Sequence, residues 1–326
     1  MIGDFSRLRE RSSLRGERDN NRFTAVMVEV MGMHPSIDDL VPEWARKFYS
    51  KRLKSLSELF GVDKPIIGMV HLIPLPGAPA YEGWSMDDVI EFAMRDARAL
   101  VENGVNGLIV ENMWDLPYYA NGRIPPEEIA AHAVAAREIA KSFNVPVGIT
   151  SIHNGGRVAL GIAKAAGAKF IRVCLYTGAI IWDTGEIDHG NAADLMRLRK
   201  ALYAEDIRFF ADVYKKHAVM LSGINPEIHA IWTDFYLADA IIVTGRMTGF
   251  EPDVDIVKKV KGVVGETPVI IGSGLTAENA EKLLKYADGA IVGTYFKVKG
   301  ITQNPVDPER VKKLMEVVRR IRKEST

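Results

Sequence analysis

Carboxylates, cations and hydroxyls stand at or just beyond the ends of short apolar runs in this chain, and together they could move protons and hold a phosphate. Glu111 and Asp212 are two such carboxylates. Two carboxylates facing one pocket in unlike surroundings are the minimum for acid and base catalysis. Each also has a purely structural use, Glu111 as an ion-pair partner of Arg172 or Lys216. Asp212 closes an apolar run and precedes Lys215, Lys216 and His217, so Lys216 is expected to stabilise developing negative charge and His71 to orient a ligand. A Schiff-base role for Lys216 is the weaker reading, because it lies beyond its strand. Asn112, Arg172, Thr244 and Gly245 complete the polar set expected around a substrate. Cys174 has no adjacent histidine and reads as core packing.

Two glycine-bearing segments late in the chain suggest an oxyanion site. One is Gly272-Ser273-Gly274 and the other Gly293-Thr294. Glycine lets backbone N–H groups approach an anion closely, the two hydroxyls could add donors, and a helix expected from about residue 277 would add a favourable field. Either segment alone could be an ordinary tight turn. Together, after the last two strands of a barrel, they occupy the loops where phosphate is often held.

The elements that must position these groups are regular from Pro65 onward. Apolar strand patterns fall at 66–72, 107–111, 146–151, 170–175, 208–213, 240–244, 269–272 and 290–294, and helical patterns at 86–103, 126–143, 155–166, 191–202, 225–236, 253–264, 277–286 and 308–323. Eight strands, each followed by a helix, over about 260 residues predict an α/β fold, the (β/α)8 TIM barrel. The G-x-G-x-x-G fingerprint of a doubly wound sheet is absent after the first strand. Helix-to-strand connections are short (102–106, 143–145, 167–169), whereas strand-to-helix connections at 73–85, 112–125 and 176–190 are long. One elaborated face and one minimal face are what an enzyme barrel would show. Loop 176–190 sets Trp182 among Gly178, Gly185 and Gly190, a pattern expected of a hinged lid or of a surface insertion.

Ahead of the barrel (62–326), residues 1–24 mix arginines with acids and read as a flexible tail. Residues 25–61 form an N-terminal extension with one amphipathic helix over 42–60, stopped by Gly61.

Composition narrows the function classes. The 326 residues are 47% hydrophobic and 26% charged, with Lys+Arg and Asp+Glu both 42. That balance gives no drive toward nucleic acid. One cysteine excludes an intramolecular disulfide framework and a cysteine cage for a metal. No apolar run reaches the 18 or so residues of a membrane span, and no secretory signal is evident. A cytoplasmic protein is expected. His71, Glu111, His153 and Asp212 lack a recognised metal-ligand spacing, so no metal site is assigned, and no cofactor is required, with a divalent ion or FMN as options. Trp232, Phe235 and Tyr236 suggest a contact between barrels, hence a homo-oligomer.

Several of these segments resemble the BtpA family: Gly68 to Gly77, Gly107 to Asn112, Phe170 to Val173, Ala211-Asp212-Val213 with Lys216-His217-Ala218, Gly272-Ser273-Gly274 with Asn279, and Val292-Gly293-Thr294 with Lys297. The resemblance runs from about residue 62 to 324. It implies a barrel related to the ribulose-phosphate-binding group and an association with photosystem I biogenesis. The sequence departs from the family pattern at His153-Asn154 and at Cys174. The resulting expectation is an enzyme (a lyase, isomerase or glycosyl hydrolase) acting on a small phosphorylated sugar or nucleoside-phosphate-like compound. Gly272, Ser273, Gly274, Gly293 and Thr294 would hold the phosphate. Glu111 and Asp212 would do acid and base work, assisted by Lys216 and His71. The alternatives are a non-catalytic assembly or regulatory factor using the barrel to bind ligand or partner, and an FMN-binding barrel.

Overall fold

A computed structural model describes residues 52–324, apart from Asn121. The expected 1–24 tail and the part of the 42–60 helix before residue 52 lie outside the described residues. What is described of that helix departs from the prediction: only one turn, α1 (Ser57–Phe60), is helical, closed by Gly61 in the left-handed region. Residues 52–56 run without helix, and the Leu53 N–H donates to Asp239 across 3.2 Å.

Each predicted strand forms, most of them stopping slightly short of the predicted end. In chain order the elements are β1 (Ile66–His71), α2 (Met86–Glu102), β2 (Gly107–Glu111), α3 (Pro126–Ser142), β3 (Val147–Thr150), α4 (Gly156–Ala166), β4 (Phe170–Val173), β5 (Ala179–Trp182), β6 (Ile187–His189), α5 (Ala192–Ala201), β7 (Arg208–Val213), β8 (Ala218–Met220), α6 (Pro226–Phe235), β9 (Ala240–Val243), α7 (Val254–Val263), β10 (Val269–Ile271), α8 (Ala280–Leu284), β11 (Gly289–Val292) and α9 (Pro308–Glu324). Strands β1, β2, β3, β4, β7, β9, β10 and β11 close in that order into a parallel barrel. Local chemistry agrees with the helices. Ser85 and Asp88 make a reciprocal capping box on α2, and α3 starts with proline and two glutamates.

Alternation along the strands separates two cores. Ile66, Val70 and Leu108 pack outward under the helices, while Ile67, Met69, Ile109, Phe170, Phe210, Ile242, Ile270 and Ile291 fill the barrel. Leu53, Leu56 and Phe60 join that inner cluster. Phe60 meets the Phe170 ring edge-on at 5.6 Å, and Phe170 stacks on Phe210 at 4.7 Å. These rings need space. A Cβ on Gly148 would fall 2.2 Å from the Phe170 ring, and one on Gly107 2.6 Å from Phe60.

Loop 176–190, for which a hinged lid and a surface insertion were both open, is a hairpin. Its strands β5 and β6 join β8 in a three-stranded antiparallel sheet ordered β6-β5-β8. Gly185 makes its turn at φ +85°, and Trp182 is buried, stacked on His153 at 4.3 Å with the planes 6° apart. Paired strands and a buried anchor leave those glycines turn and close-approach duties rather than hinging. No helix of the described residues is long and apolar enough to cross a membrane.

Phe60 closes the inner core through contacts distant in sequence, so Phe60→Ala should destabilise the barrel by about 3 kcal/mol. Urea unfolding followed by tryptophan fluorescence measures this, and an unchanged midpoint would show that the segment before β1 contributes nothing to the core.

Candidate active site

Continuing the inward register of the strands by one step places polar side chains above the apolar core. His71 follows Ile67 and Met69, Glu111 follows Ile109, Arg172 follows Phe170, and Asp212 follows Phe210; Thr244, Gly272 and Gly293 hold the same parity after Ile242, Ile270 and Ile291. His71, Glu111, Arg172, Lys216, Gly272, Ser273, Gly274, Gly293 and Thr294 line a single cavity of about 220 Å³ at the strand ends. Asn112, Asp212, Thr244 and Gly245 do not.

Those four support it from behind. Asp212 is fully buried and bonded through both oxygens to Arg172 Nε and Nη2, at 3.1 to 3.3 Å, and to Lys215 Nζ at 2.8 Å. Burial pushes its pKa up, but Arg172 and Lys215 outweigh that and hold it below the usual carboxylate range. Asp212, expected to do acid or base work, is thus an ion-paired carboxylate behind the cavity lining, and a carboxylate so paired is a poor proton donor and a weak base. Asn112 Oδ1 accepts the Ile152 N–H at 2.9 Å. Thr244 Oγ1 accepts the Lys216 N–H at 3.1 Å, and the Gly245 N–H donates to Ser273 Oγ at 3.1 Å.

The floor of the cavity carries the reactive groups. His71 Nε2 lies 3.5 Å from Glu111 Oε2. Burial, then the charges of Lys297 and Lys216, lower the His71 pKa well below the ordinary imidazole value, so the ring is neutral. Lys216, expected to stabilise negative charge from just past its strand, has a side chain that lines the cavity. Burial, then Lys215 and Arg172, lower its pKa to about 7 against the pull of Glu111 and Asp212. The side chain has no ion pair among the described residues.

The glycine-bearing segments border these groups directly: a Cβ on Gly293 would lie 3.5 Å from the His71 ring, and one on Gly272 3.4 Å from Arg172 Nη2. Gly274 has φ +71°, and a Cβ there would meet the Glu251 nitrogen at 2.1 Å, so this loop is pressed against the loop after β9. Of the expected hydroxyl donors, Ser273 Oγ donates to the Phe250 carbonyl at 2.9 Å, and Thr294 Oγ1 shares a 2.9 Å hydrogen bond with Thr302 Oγ1 in which either can donate. The expected helix field also falls away, because α8 starts only at Ala280 and has 5 residues. A turn in which Asn279 Oδ1 accepts the Thr276 N–H takes up the preceding residues. Donors remain in the backbone. The N–H groups of Ser273, Gly274, Gly293 and Thr294 have no acceptor among the described residues.

Sequence reading missed two cavity residues of consequence. Arg310, in the first turn of α9, lies 4.5 Å over the Tyr295 ring, donates Nε to the Tyr295 carbonyl, and has no carboxylate partner among the described residues. Thr248 reaches the cavity from the loop after β9. Neither belongs to a strand-end pattern; Arg310 arrives from a helix that sequence alone assigns only to the outer layer. Conversely Lys297 points away, its Nζ 2.6 Å from buried Asp96. His229, on α6, is buried, with Nε2 2.9 Å from the Thr177 carbonyl. Cys174 is buried beside Trp182 as expected. Among the described residues no group of three or more His, Cys, Asp or Glu could hold a metal ion.

A family model described as the BtpA family matches residues 62–320. An uncharacterized protein of Pyrococcus furiosus is 42% identical over 257 residues, 78% of this chain and 94% of its own length. The photosystem I biogenesis protein BtpA of Synechocystis is 37% identical over 266 residues, covering 81% of this chain and 91% of that protein. Among solved structures, Mycobacterium tuberculosis tryptophan synthase shares the fold with TM-score 0.51 and 17% identity over 79% of this chain and 93% of its own.

The Lys216 amine gives a direct test. Its native pKa of about 7 lies below the 10.5 of an ordinary lysine, so between those values the unfolded chain binds a proton that the native chain has lost, and this group makes folding more favourable as pH rises through that window. Carbon-13 NMR of labelled lysine should show one Cε resonance, absent in Lys216→Gln, titrating near pH 7. Titration of that resonance above pH 9.5 would contradict the electrostatics described here.

Proposed function

This chain belongs to the BtpA family, and from that premise and the chemistry of the cavity we propose that it is an enzyme acting on a small phosphorylated sugar or nucleoside-phosphate-like compound. The observation that carries the reading is one cavity lined both by glycine-bearing segments with unpaired backbone N–H groups and by Glu111, His71 and Lys216. The phosphate sits against the N–H groups of Ser273, Gly274, Gly293 and Thr294, which supply fixed partial positive charge. Arg310 adds a guanidinium in the same cavity, suited to phosphate oxygens. The rest of the substrate then reaches Glu111, His71 and Lys216.

Glu111 takes a proton from the substrate. Lys216, near half protonation at neutral pH, returns one or stabilises the anion that forms. Neutral His71, 3.5 Å from Glu111, orients that carboxylate or a substrate hydroxyl. Asp212 holds Arg172 and Lys215 in place and does not exchange protons with substrate. Proton transfer of this kind serves an isomerase, a lyase of C–C or C–O bonds, or a glycosyl hydrolase. We place the protein in the cytoplasm as a homo-oligomer. The half-exposed Phe235 and Tyr236 at the end of α6 support the contact, and light scattering of the purified protein checks it.

A second reading is favoured by one relative, the Synechocystis protein named for photosystem I biogenesis. In it the barrel binds ligand or partner without turnover, and the outcomes below separate the two.

Thermal-shift titration with sugar phosphates, nucleotides, FMN and matching unphosphorylated sugars should show stabilisation by phosphorylated compounds alone, about 2.7 kcal/mol at one hundred times Kd. Arg310→Met should weaken that binding about tenfold or more. Glu111→Gln should keep the binding and lower turnover about a hundredfold or more. Binding without turnover by wild-type protein supports the assembly factor, and no preference for phosphorylated compounds sinks the phosphate site.

A further inference from the structure

Three loops at the barrel mouth bring together an acid, an imidazole and a hydroxyl that the chemistry above does not use. Asp183 stands at the turn between β5 and β6, His217 between β7 and β8, and Thr248 after β9. Asp183 Oδ2 lies 3.2 Å from His217 Nδ1, and His217 Nε2 lies 3.0 Å from Thr248 Oγ1. Thr248 lines the cavity, whereas the Asp183 side chain is 53% exposed. The chain of contacts therefore runs from the cavity to solvent.

We propose that Asp183, His217 and Thr248 form a proton relay that carries a proton from a hydroxyl of the bound substrate toward solvent. The proposal rests on the enzyme reading above and supplies the base that ion-paired Asp212 does not. The substrate O–H bond breaks, its electron pair stays on the substrate oxygen, and its proton forms a new O–H bond at Thr248 Oγ1. The proton formerly on Thr248 passes to His217 Nε2, and Asp183 stabilises the resulting imidazolium. Thr248 ends unchanged, and the imidazolium then releases its Nε2 proton to water, which leaves Nδ1–H toward Asp183 and Nε2 bare for the next turnover. No oxidant or further reactant is needed.

The backbone holds this alignment. The Asp183 N–H donates to the His217 carbonyl at 3.0 Å, and the His217 N–H donates to the Arg246 carbonyl at 3.3 Å. The loops that carry the two partner side chains are thus tied to the main chain of His217 itself. His217 has φ +62°, in the left-handed region that non-glycine residues enter at a cost, and such strain often accompanies function. The groups around the ring favour its base form. Burial and the charges of Lys216 and Lys215 lower its pKa, against the opposing effect of Asp183.

A structural lock would use the same contacts, so the test reads the proton. Full-length protein carrying nitrogen-15 histidine is measured at pH 7.5, with the His217 signals identified by their loss in His217→Gln. The relay requires Nδ1 protonated and Nε2 bare, a Thr248→Val variant that shifts Nε2 alone, and an Asp183→Asn variant that mixes the tautomers. Turnover of ribose 5-phosphate, ribulose 5-phosphate and glucose 6-phosphate is then followed by phosphorus NMR. Thr248→Val should lower kcat about a hundredfold with little change in KM, and Thr248→Ser should recover most of the loss. Asp183→Asn should move the acid limb of the kcat profile to lower pH. An Nε2-protonated ring, or wild-type kcat in Thr248→Val, overturns the relay. A parallel titration with inorganic phosphate separates the two proposals: phosphate binding with the wrong tautomer removes only the relay, and the right tautomer without phosphate binding removes only the phosphate reading.

Discussion

The electrostatics of the cavity depend on one buried carboxylate. Asp212 has no contact with solvent and is held by Arg172 and Lys215. Removing such charges from water costs several kcal/mol each, and only close, multiple contacts recover it. Four contacts to Arg172 and one to Lys215 do so here. Lys216 stands beside the same two cations, and burial first, then Lys215 and Arg172, drive its amine toward neutrality against the pull of Glu111 and Asp212. One ion pair thereby fixes Arg172 within the barrel and prepares the lysine next to it.

Much of this was legible in the sequence because a barrel strand has a period of two. Knowing that Ile67, Ile109, Phe170 and Phe210 face inward is enough to aim His71, Glu111, Arg172 and Asp212 into the same space. Strand and helix positions followed from apolar runs and the glycines and short loops between them. The roles were harder to read. Asp212 and Glu111 look alike as letters, and only the distances to Arg172 and Lys215 separate an anchor from a free acid. Lys216 sits past the end of β7, where sequence position suggests solvent, yet Thr244 holds its backbone so that the side chain turns inward.

The hydroxyls and loops show the same limit. Ser273 carries a donor suited to phosphate, but the Phe250 carbonyl already takes it, and Thr294 Oγ1 is paired with Thr302 Oγ1. Gly274 reads as a backbone-approach glycine and is one, though what approaches most closely is the chain at Glu251. Packing and ligand binding call for the same residue at this loop, and its type alone does not divide them. Glycines around Trp182 suggest hinges until the strand pairing with β8 is known, because pairing between distant segments leaves no local trace. Arg310 and Thr248 enter the site from segments with no strand-end signature, which is why neither emerged from the pattern.

An unpaired amine at a half-buried site opposes folding at neutral pH, as does a left-handed histidine on the adjoining turn. A barrel serving only as a scaffold could replace both without loss, since a glutamine at 216 or an asparagine or glycine at 217 would relieve the local cost. Local choices that conflict with stability are expected to gather where a protein does chemistry. Here they adjoin one another in sequence: Lys216 lines the same cavity as Glu111, and the His217 ring meets Thr248, which lines it too. That coincidence, more than the barrel itself, weighs toward catalysis and away from a purely structural use of the fold.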